Sequence, residues 1–375
     1  MGILCSNKKY YLYDSKIVNM RPEDLLKYVS EYYTATQYPT LHEQIRLWGE
    51  SRPLAGLRIL DSTPVFRNTL LKYAALLAGG AELEVGISEY ISRDASVVEF
   101  LQSNGVAVVA PNECRGVYDV VMDCGAIFAD VPTRYGYVEL TRSGVPKYEE
   151  RGATVFMADS GVIKRIETIL GTGDGYFRAM AELGYEDWSG VRLTVFGSGK
   201  VGCGIILQAH RLGACIDVVT DPATLSPKYR ALCTKVVDYR DAQSVVSVLR
   251  ESDAVVTATG KCSVVEQYVD KQFFNDKKCL LANMGVEDEF GESIPAEMVL
   301  NGKSALNFML EEPTHLKFID ATMALHNLGA LHLVENKDLS GVILPPEQME
   351  QGLLDTTRKF GEIGDILNNI FDWGI

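Results

Sequence analysis

The sequence predicts an α/β fold built from two doubly wound, parallel-sheet units in series. Three observations predict it. Short apolar and β-branched runs begin to alternate with helical patterns near residue 57. The alternation restarts after Gly184. Turn glycines separate the runs throughout.

Before residue 57 the chain reads as a polar, Tyr-rich start. Leu57-Arg58-Ile59-Leu60 reads as the first strand, and residues 66–79 as a helix ending at Gly79-Gly80. Leu83–Ile87 is a second strand. A helix over 94–103 stops at Gly105. Val106–Ala110, Asp119–Met122 and Thr154–Met157 are further strands. A long helix over roughly 162–183 then serves as the connector. In the second unit Val191–Phe196 is a β-branched strand, Cys203–Leu212 a helix and Cys215–Thr220 a strand. Ala254–Thr257 and Lys278–Ala282 follow with helices between them, and Ala305–Met309 reads as the last strand. Residues 314–334 and 346–371 read as terminal helices.

Bulk properties narrow the function. The 375 residues are 47% hydrophobic, enough for more than one core. Lys plus Arg total 36 against 50 Asp plus Glu, giving a formal charge of −14. Such a surface repels phosphate backbones and anionic lipid, so neither nucleic acid nor membrane is expected as a partner. No run reaches the ~18 apolar residues of a membrane helix. Gly2 and Ser6 match the myristoylation pattern, but nothing else points to a membrane, and no apolar core follows the basic start as in a secretory signal. The expected location is the cytoplasm. The 8 cysteines form no CxxC pairs and do not cluster with the 5 histidines, so they read as reduced, buried thiols and no metal site is expected.

The most informative motif is Gly197-Ser198-Gly199-Lys200-Val201-Gly202. A strand precedes it directly and a helix follows it directly, the context a dinucleotide turn requires. The first glycine permits the tight turn, the second lets backbone amides approach a pyrophosphate, and the third allows close packing. The helix N-terminus favours the phosphates. An acidic partner for the adenine ribose belongs about 20 residues on, and Asp221 follows Val218-Val219-Thr220 there. No arginine follows it immediately, so NAD is expected rather than NADP. Two later strand ends, Thr257-Ala258-Thr259-Gly260 and Asn283-Met284-Gly285, carry small, hydroxyl and amide residues that suit contacts near the nicotinamide ribose. The second unit is therefore read as a Rossmann domain.

In this order the motifs resemble the S-adenosylhomocysteine hydrolases. The resemblance runs from about Pro39 to about His332. It is carried by Tyr38-Pro39-Thr40-Leu41, Pro53–Ile59, Ala158-Asp159-Ser160, Gly171-Thr172-Gly173, the Gly197 turn, Thr257–Gly260 and Asn283-Met284-Gly285. It implies a substrate domain over 1–183 completed by C-terminal helices 325–375, with the NAD domain, 184–324, inserted before those helices. It also implies a homo-oligomer, dimer or tetramer, and a tightly held NAD that transiently oxidises a ribose 3′-hydroxyl so that a thioether can leave C5′. Hydroxyls of Thr141 and Ser143 fall in a stretch that touches nicotinamide in the family.

The departures lie where that chemistry occurs. An ungapped alignment puts Ile163 at the family's catalytic lysine, Glu167 at its aspartate and Thr168 at its asparagine. A family histidine becomes Pro64 and a threonine Phe66. Family acids become Cys124 and Leu140, and the histidine after the Asn-x-Gly turn becomes Val286. The chain ends Phe371-Asp372-Trp373-Gly374-Ile375 in place of the family's Lys- and Tyr-rich tail.

Oxidising a hydroxyl needs a base for its proton. Glu167 is the positional candidate. Lys164, one residue from the family lysine position, serves if the register slips. Both equally suit a solvated helix face. His326 can shuttle protons or simply pack. Asp123 ends a strand and is expected to face the cleft, and Asp159 reads as a helix cap. The chain is thus expected to be an NAD-dependent oxidoreductase or redox-cycling lyase acting on a hydroxyl-bearing small molecule other than adenosylhomocysteine. Two alternatives stay open: nucleoside 3′-oxidation with elimination or hydrolysis at C5′, and a catalytically silent NAD-binding regulatory subunit.

Overall fold

Two parallel sheets organise the chain. The computed structural model describes residues 20–275 and 277–370. Gly2, Ser6, Cys5 and the segment 371–375 lie outside the described residues. The first sheet contains β1 (Arg58–Asp61), β2 (Glu82–Gly86), β3 (Ala107–Val109), β4 (Tyr118–Asp123), β5 (Thr133–Glu139) and β6 (Val155–Met157). The second contains β7 (Arg192–Phe196), β8 (Cys215–Thr220), β9 (Lys235–Asp238), β10 (Ala254–Thr257), β11 (Leu280–Asn283) and β12 (Leu300–Ala305). The chain then returns to the first sheet as β13 (Val342–Ile343), which pairs with β6. The spatial orders are β13-β6-β5-β4-β1-β2-β3 and β12-β11-β10-β7-β8-β9, with every pairing parallel. In the second sheet the order reverses between β7 and β10, so the crevice beyond their carboxyl ends is where such a fold takes a ligand. The predicted α/β architecture of two doubly wound sheets is the architecture observed.

Several elements differ from the sequence reading. The polar, Tyr-rich start, for which no element was expected, holds two helices, Pro22–Val29 and Pro39–Ser51. Each buries a narrow stripe, Leu25 with Val29 and Leu41 with Gln44 and Trp48, among otherwise polar residues. Strand β5 was not legible because Gly136 and charged residues interrupt its pattern. That glycine has φ +126°, and a Cβ there would lie 2.5 Å from the Thr154 carbonyl oxygen. Strand β9 is four residues with charged ends, at the edge of its sheet. The expected strand over 305–309 is instead β12, ending at Ala305, followed by a 3-10 turn over Leu306–Met309.

The connector is a composite helix. Val162–Arg165 is α-helical, Ile166–Gly171 winds as a π-helix, and Thr172–Glu182 is α-helical again. Such π segments are uncommon and often accompany functional sites. The helix Lys200–Arg211 lies against this composite through glycines. A Cβ on Gly204 would collide with the Ile169 carbonyl, and one on Gly173 would sit 2.5 Å from Gly204 backbone atoms.

The helix Leu316–Glu335 packs on β5 and on the helix Pro39–Ser51. Its Asp320 carboxylate accepts Thr40 N and Oγ1 at 2.9 and 2.6 Å and Leu41 N at 3.0 Å, capping that helix from another part of the chain. The buried pair Lys72–Asp61 lies nearby under the first sheet. No helix among the described residues is long and apolar enough to cross a membrane. The reading of the cysteines as buried is corrected: among the described ones only Cys203 is buried, Cys262 is exposed and the rest are half-buried.

Candidate active site and dinucleotide cleft

The glycine turn follows β7 as expected. Gly197 has φ +97°, and a Cβ on it would lie 2.6 Å from the Ala258 carbonyl oxygen, so the turn needs glycine on both conformational and steric grounds. A Cβ on Gly202 would collide with the Gly197 carbonyl oxygen. Space is open above Gly199, the N-cap of the helix Lys200–Arg211. No side chain caps this helix, so its first-turn amides remain available to an anion. These features fit a dinucleotide phosphate.

A cleft of about 450 Å³ opens beside the turn. Gly197, Ser198, Gly199, Asp221, Ala258 and Thr259 line it, together with Tyr239 and Tyr268. Ser198 and Thr220 share a hydroxyl hydrogen bond of 2.7 Å at its floor. Asp221 stands at the end of β8 as predicted, but its carboxylate is already engaged by Arg240 at 2.9 Å. Sequence reasoning missed this arginine. It arrives from the neighbouring strand, and no local pattern joins residues 221 and 240.

The two small-residue loops are used differently from expectation. Thr257 is fully buried and donates to Asn283 Oδ1 at 3.0 Å. The Asn283 amide donates to the carbonyls of Gly285, Glu287 and Lys303. Neither side chain is left to meet a ribose, and Met284 is buried as well. The Thr259 and Gly260 amides and the Thr259 hydroxyl donate to buried Glu289. These residues shape the loops, while the Ala258 and Thr259 surfaces face the cleft. Burial raises the pKa of the Glu289 carboxyl, opposed by those donors.

On the first sheet, Asp123 and Glu139 end β4 and β5 in register. The expectation that Asp123 faces a cleft is corrected. It is fully buried and accepts from Ser62 Oγ, Cys124 N, Phe128 N and Tyr148 OH at 2.6–2.8 Å, so its oxygens are taken up by the 124–128 loop and by two hydroxyls. Glu139 accepts from the Gly125, Ala126 and Thr141 amides and from Thr141 Oγ1. Burial, then the Asp123 charge, raises its pKa. Thr141 and Ser143 lie beside it with their hydroxyls 3.2 Å apart, outside the 450 Å³ cleft.

The composite helix brings Lys164 and Glu167 together. Lys164 Nζ donates to both Glu167 oxygens, at 2.8 and 3.0 Å. Only 6% and 12% of the two side chains remain exposed, so the solvated-face reading does not hold. Burial works to lower the lysine's pKa, but the Glu167 charge and hydrogen bond outweigh it and the value is raised. Cys124, at the position of a family acid, feels both charges, yet burial and then Glu139 push its thiol up to about 12.

Asp159 was read as a cap. Its carboxylate instead takes Lys200 Nζ of the glycine turn at 2.5 Å and the Arg142 amide at 3.1 Å, joining the two sheets' loops. His326 is not among the groups brought together at solvent. It is fully buried, its Nε2 donates to the Val138 carbonyl at 2.9 Å, and Nδ1 has no partner. Burial, then the charge of Lys72, holds it neutral. A proton shuttle needs a ring that reaches the cleft, and this one does not.

No family model matches the chain. Individual relatives do. The adenosylhomocysteinase of Thermococcus kodakarensis is 26% identical over 286 residues, 66% of this chain and 64% of that protein. That of Sulfolobus acidocaldarius is 28% identical over 354 residues, covering 80% and 82%. The S-inosyl-L-homocysteine hydrolase of Methanothermobacter thermautotrophicus is 26% identical over 210 residues, 48% of each chain. The chain is a divergent relative of the adenosylhomocysteinases. Its alignment spans less than two thirds of the length of the Thermococcus protein. Among solved structures, a dipicolinate synthase chain from Bacillus halodurans aligns with a TM-score of 0.49 at 12% identity, over 74% of this chain and 99% of that one. In this chain the helix after the glycine turn has no side-chain cap, and Lys164 and Glu167 meet on the composite helix packed against it.

Proposed function

We propose that this chain binds NAD along the Gly197–Gly202 turn and oxidises a hydroxyl-bearing small molecule, with Glu167 as base and Lys164 as its partner. The observation that carries the reading is the largely buried Lys164–Glu167 pair, at the junction where the α-helical turn carrying Lys164 passes into the π-helical segment carrying Glu167, on the composite helix packed against the glycine-turn helix. Bound NAD would supply a hydride acceptor. The chain supplies the rest. Amides of the uncapped helix hold the pyrophosphate, Asp221 accepts from the adenosine ribose, and Tyr239 and Tyr268 wall the adenine end.

At the chemical end, a hydroxyl proton passes to a Glu167 oxygen, and the charged Lys164 stabilises the alkoxide that forms. With little solvent around it, the attraction between the two side chains is stronger than in water, which fixes the Glu167 carboxylate in place against Lys164. The first sheet, completed by the returning C-terminal segments, would hold the substrate, with boundaries near 183 and 324. A dimer or tetramer of this chain belongs to the same reading.

The substituted positions, Cys124, Leu140, Pro64 and Phe66, argue for a substrate other than adenosylhomocysteine. The curated relatives, named for nucleosyl-homocysteine hydrolysis, favour a second reading in which the oxidised group is a ribose 3′-hydroxyl and the redox step is reversed after loss of a C5′ substituent. One experiment separates them. The purified protein is assayed for copurifying NAD(H), then monitored at the reduced-nicotinamide band with panels of alcohols and nucleosides. Net NADH supports the first reading, and product without net NADH the second. Glu167→Gln is expected to retain NAD while losing turnover at least ~100-fold. Bound NAD with no turnover on any compound would leave only a silent, regulatory role.

A further inference from the structure

The adenosine end of the cleft contains a device that the glycine motif does not reveal. Strands β8 and β9 run parallel with Thr220 opposite Asp238, so the residues just beyond their ends, Asp221 and Arg240, stand side by side. Arg240 Nη2 donates to Asp221 Oδ1 at 2.9 Å, and Arg240 Nε to Asp238 Oδ1 at 2.7 Å. Asp221 Oδ1 also accepts the Ala223 amide at 3.0 Å, which fixes the turn. A second guanidinium flanks the same turn, since Arg230 Nη2 holds the Pro222 carbonyl at 2.7 Å. The wall carrying Arg240 is itself fixed, because Tyr268 OH donates to the Tyr239 carbonyl at 2.6 Å.

An acidic residue at this place accepts hydrogen bonds from a ribose 2′-hydroxyl and repels a 2′-phosphate, whereas an arginine there receives the phosphate. Here both stand in contact, and Asp221 lines the cleft while Arg240 stands behind it. We infer that Arg240 is the coenzyme-specificity residue of this cleft: paired with Asp221 it positions that carboxylate for the 2′-hydroxyl of NAD, and unpaired it is the receptor for a 2′-phosphate. Preference for NAD then rests on one carboxylate rather than on the shape of the pocket. The guanidinium is mostly exposed, so it can turn toward a new anion without disturbing the core.

The inference rests on the NAD reading above, and binding measurements tell the two apart. Affinities for NAD, NADP, 5′-AMP and adenosine 2′,5′-bisphosphate are measured by calorimetry on the full chain and on Asp221→Ser, Arg240→Ala and the double variant. Each is checked for unchanged thermal unfolding. The native chain is expected to favour NAD at least ~10-fold. Asp221→Ser should raise affinity for NADP and the bisphosphate at least ~10-fold, the double variant should lose that gain, and Arg240→Ala alone should weaken NAD a few-fold without admitting NADP. A gain that survives in the double variant, or no gain in Asp221→Ser, overturns the role of Arg240 while leaving NAD binding intact. A native chain that binds none of the four ligands overturns both.

Discussion

Lys200 of the glycine turn reaches across to Asp159 of the first sheet's loops, Nζ to Oδ1 at 2.5 Å. The residue that opens the helix after the glycine turn is therefore also a tie between the two halves of the molecule. The lysine is 38% exposed and the aspartate 13%, so the pair's worth is that of a partly screened contact.

Removing this tie should loosen the halves more than it unfolds them. Lys200→Met is expected to cost no more than about 1 kcal/mol. Amide exchange should quicken at residues 158–163 and 198–203 together. Equal exchange in variant and native chains would show that the tie restrains nothing.

Gly204 and Gly199 should respond in opposite ways to the same added methyl. At Gly204 a Cβ collides with the Ile169 carbonyl, and at Gly199 nothing lies within 4 Å. Gly204→Ala should lose about 1–3 kcal/mol in urea unfolding, as overpacked sites do. Gly199→Ala should unfold like the native chain, while Gly199→Leu should keep the fold and lose dinucleotide affinity. A stable Gly204→Ala would contradict the packing described.

Lys164 and Glu167 should show strong coupling. Losing either partner leaves a charge stranded with little solvent, at a cost of about 3–5 kcal/mol. The double variant Lys164→Met with Glu167→Leu should be less destabilised than the sum of the two single changes. Strict additivity in a double-mutant cycle would mean the two side chains do not meet in solution.

His326 predicts a pH dependence of stability. Burial depresses its folded-state pKa below the unfolded value of 6.5, so the folded chain refuses a proton that the unfolded chain accepts at lower pH. Stability should therefore be fully present above that value and fall as the pH drops below it. The slope from this residue approaches about 1.4 kcal/mol per pH unit. His326→Gln should remove that share of the slope between pH 5 and 6.5. An unchanged slope would place the acid sensitivity elsewhere.

The glycine-turn half was readable because its signals are local. Gly197, Gly199 and Gly202 stand between a strand and a helix, and the steric reasons for two of them reappear as collisions an added Cβ would make. The first-sheet site was less readable. Asp123 looked like a cleft residue because it ends a strand, yet four donors, from Ser62, the following loop and Tyr148, enclose it. Asn283 looked free for a ribose, but its amide closes its own loop. Side-chain amides and carboxylates at strand ends serve ligands and loops alike, and only the partners tell which.

The amino-acid order alone determined the α/β alternation, most of its strands and the strand–glycine turn–helix unit at Gly197, because periodicity and glycine placement act within a few residues. Tertiary structure decided the pairing of Asp221 with Arg240, the burial of His326 under β5, and the tie from Lys200 to Asp159. Those contacts join segments whose meeting depends on strand order, and strand order is a property of the packed whole.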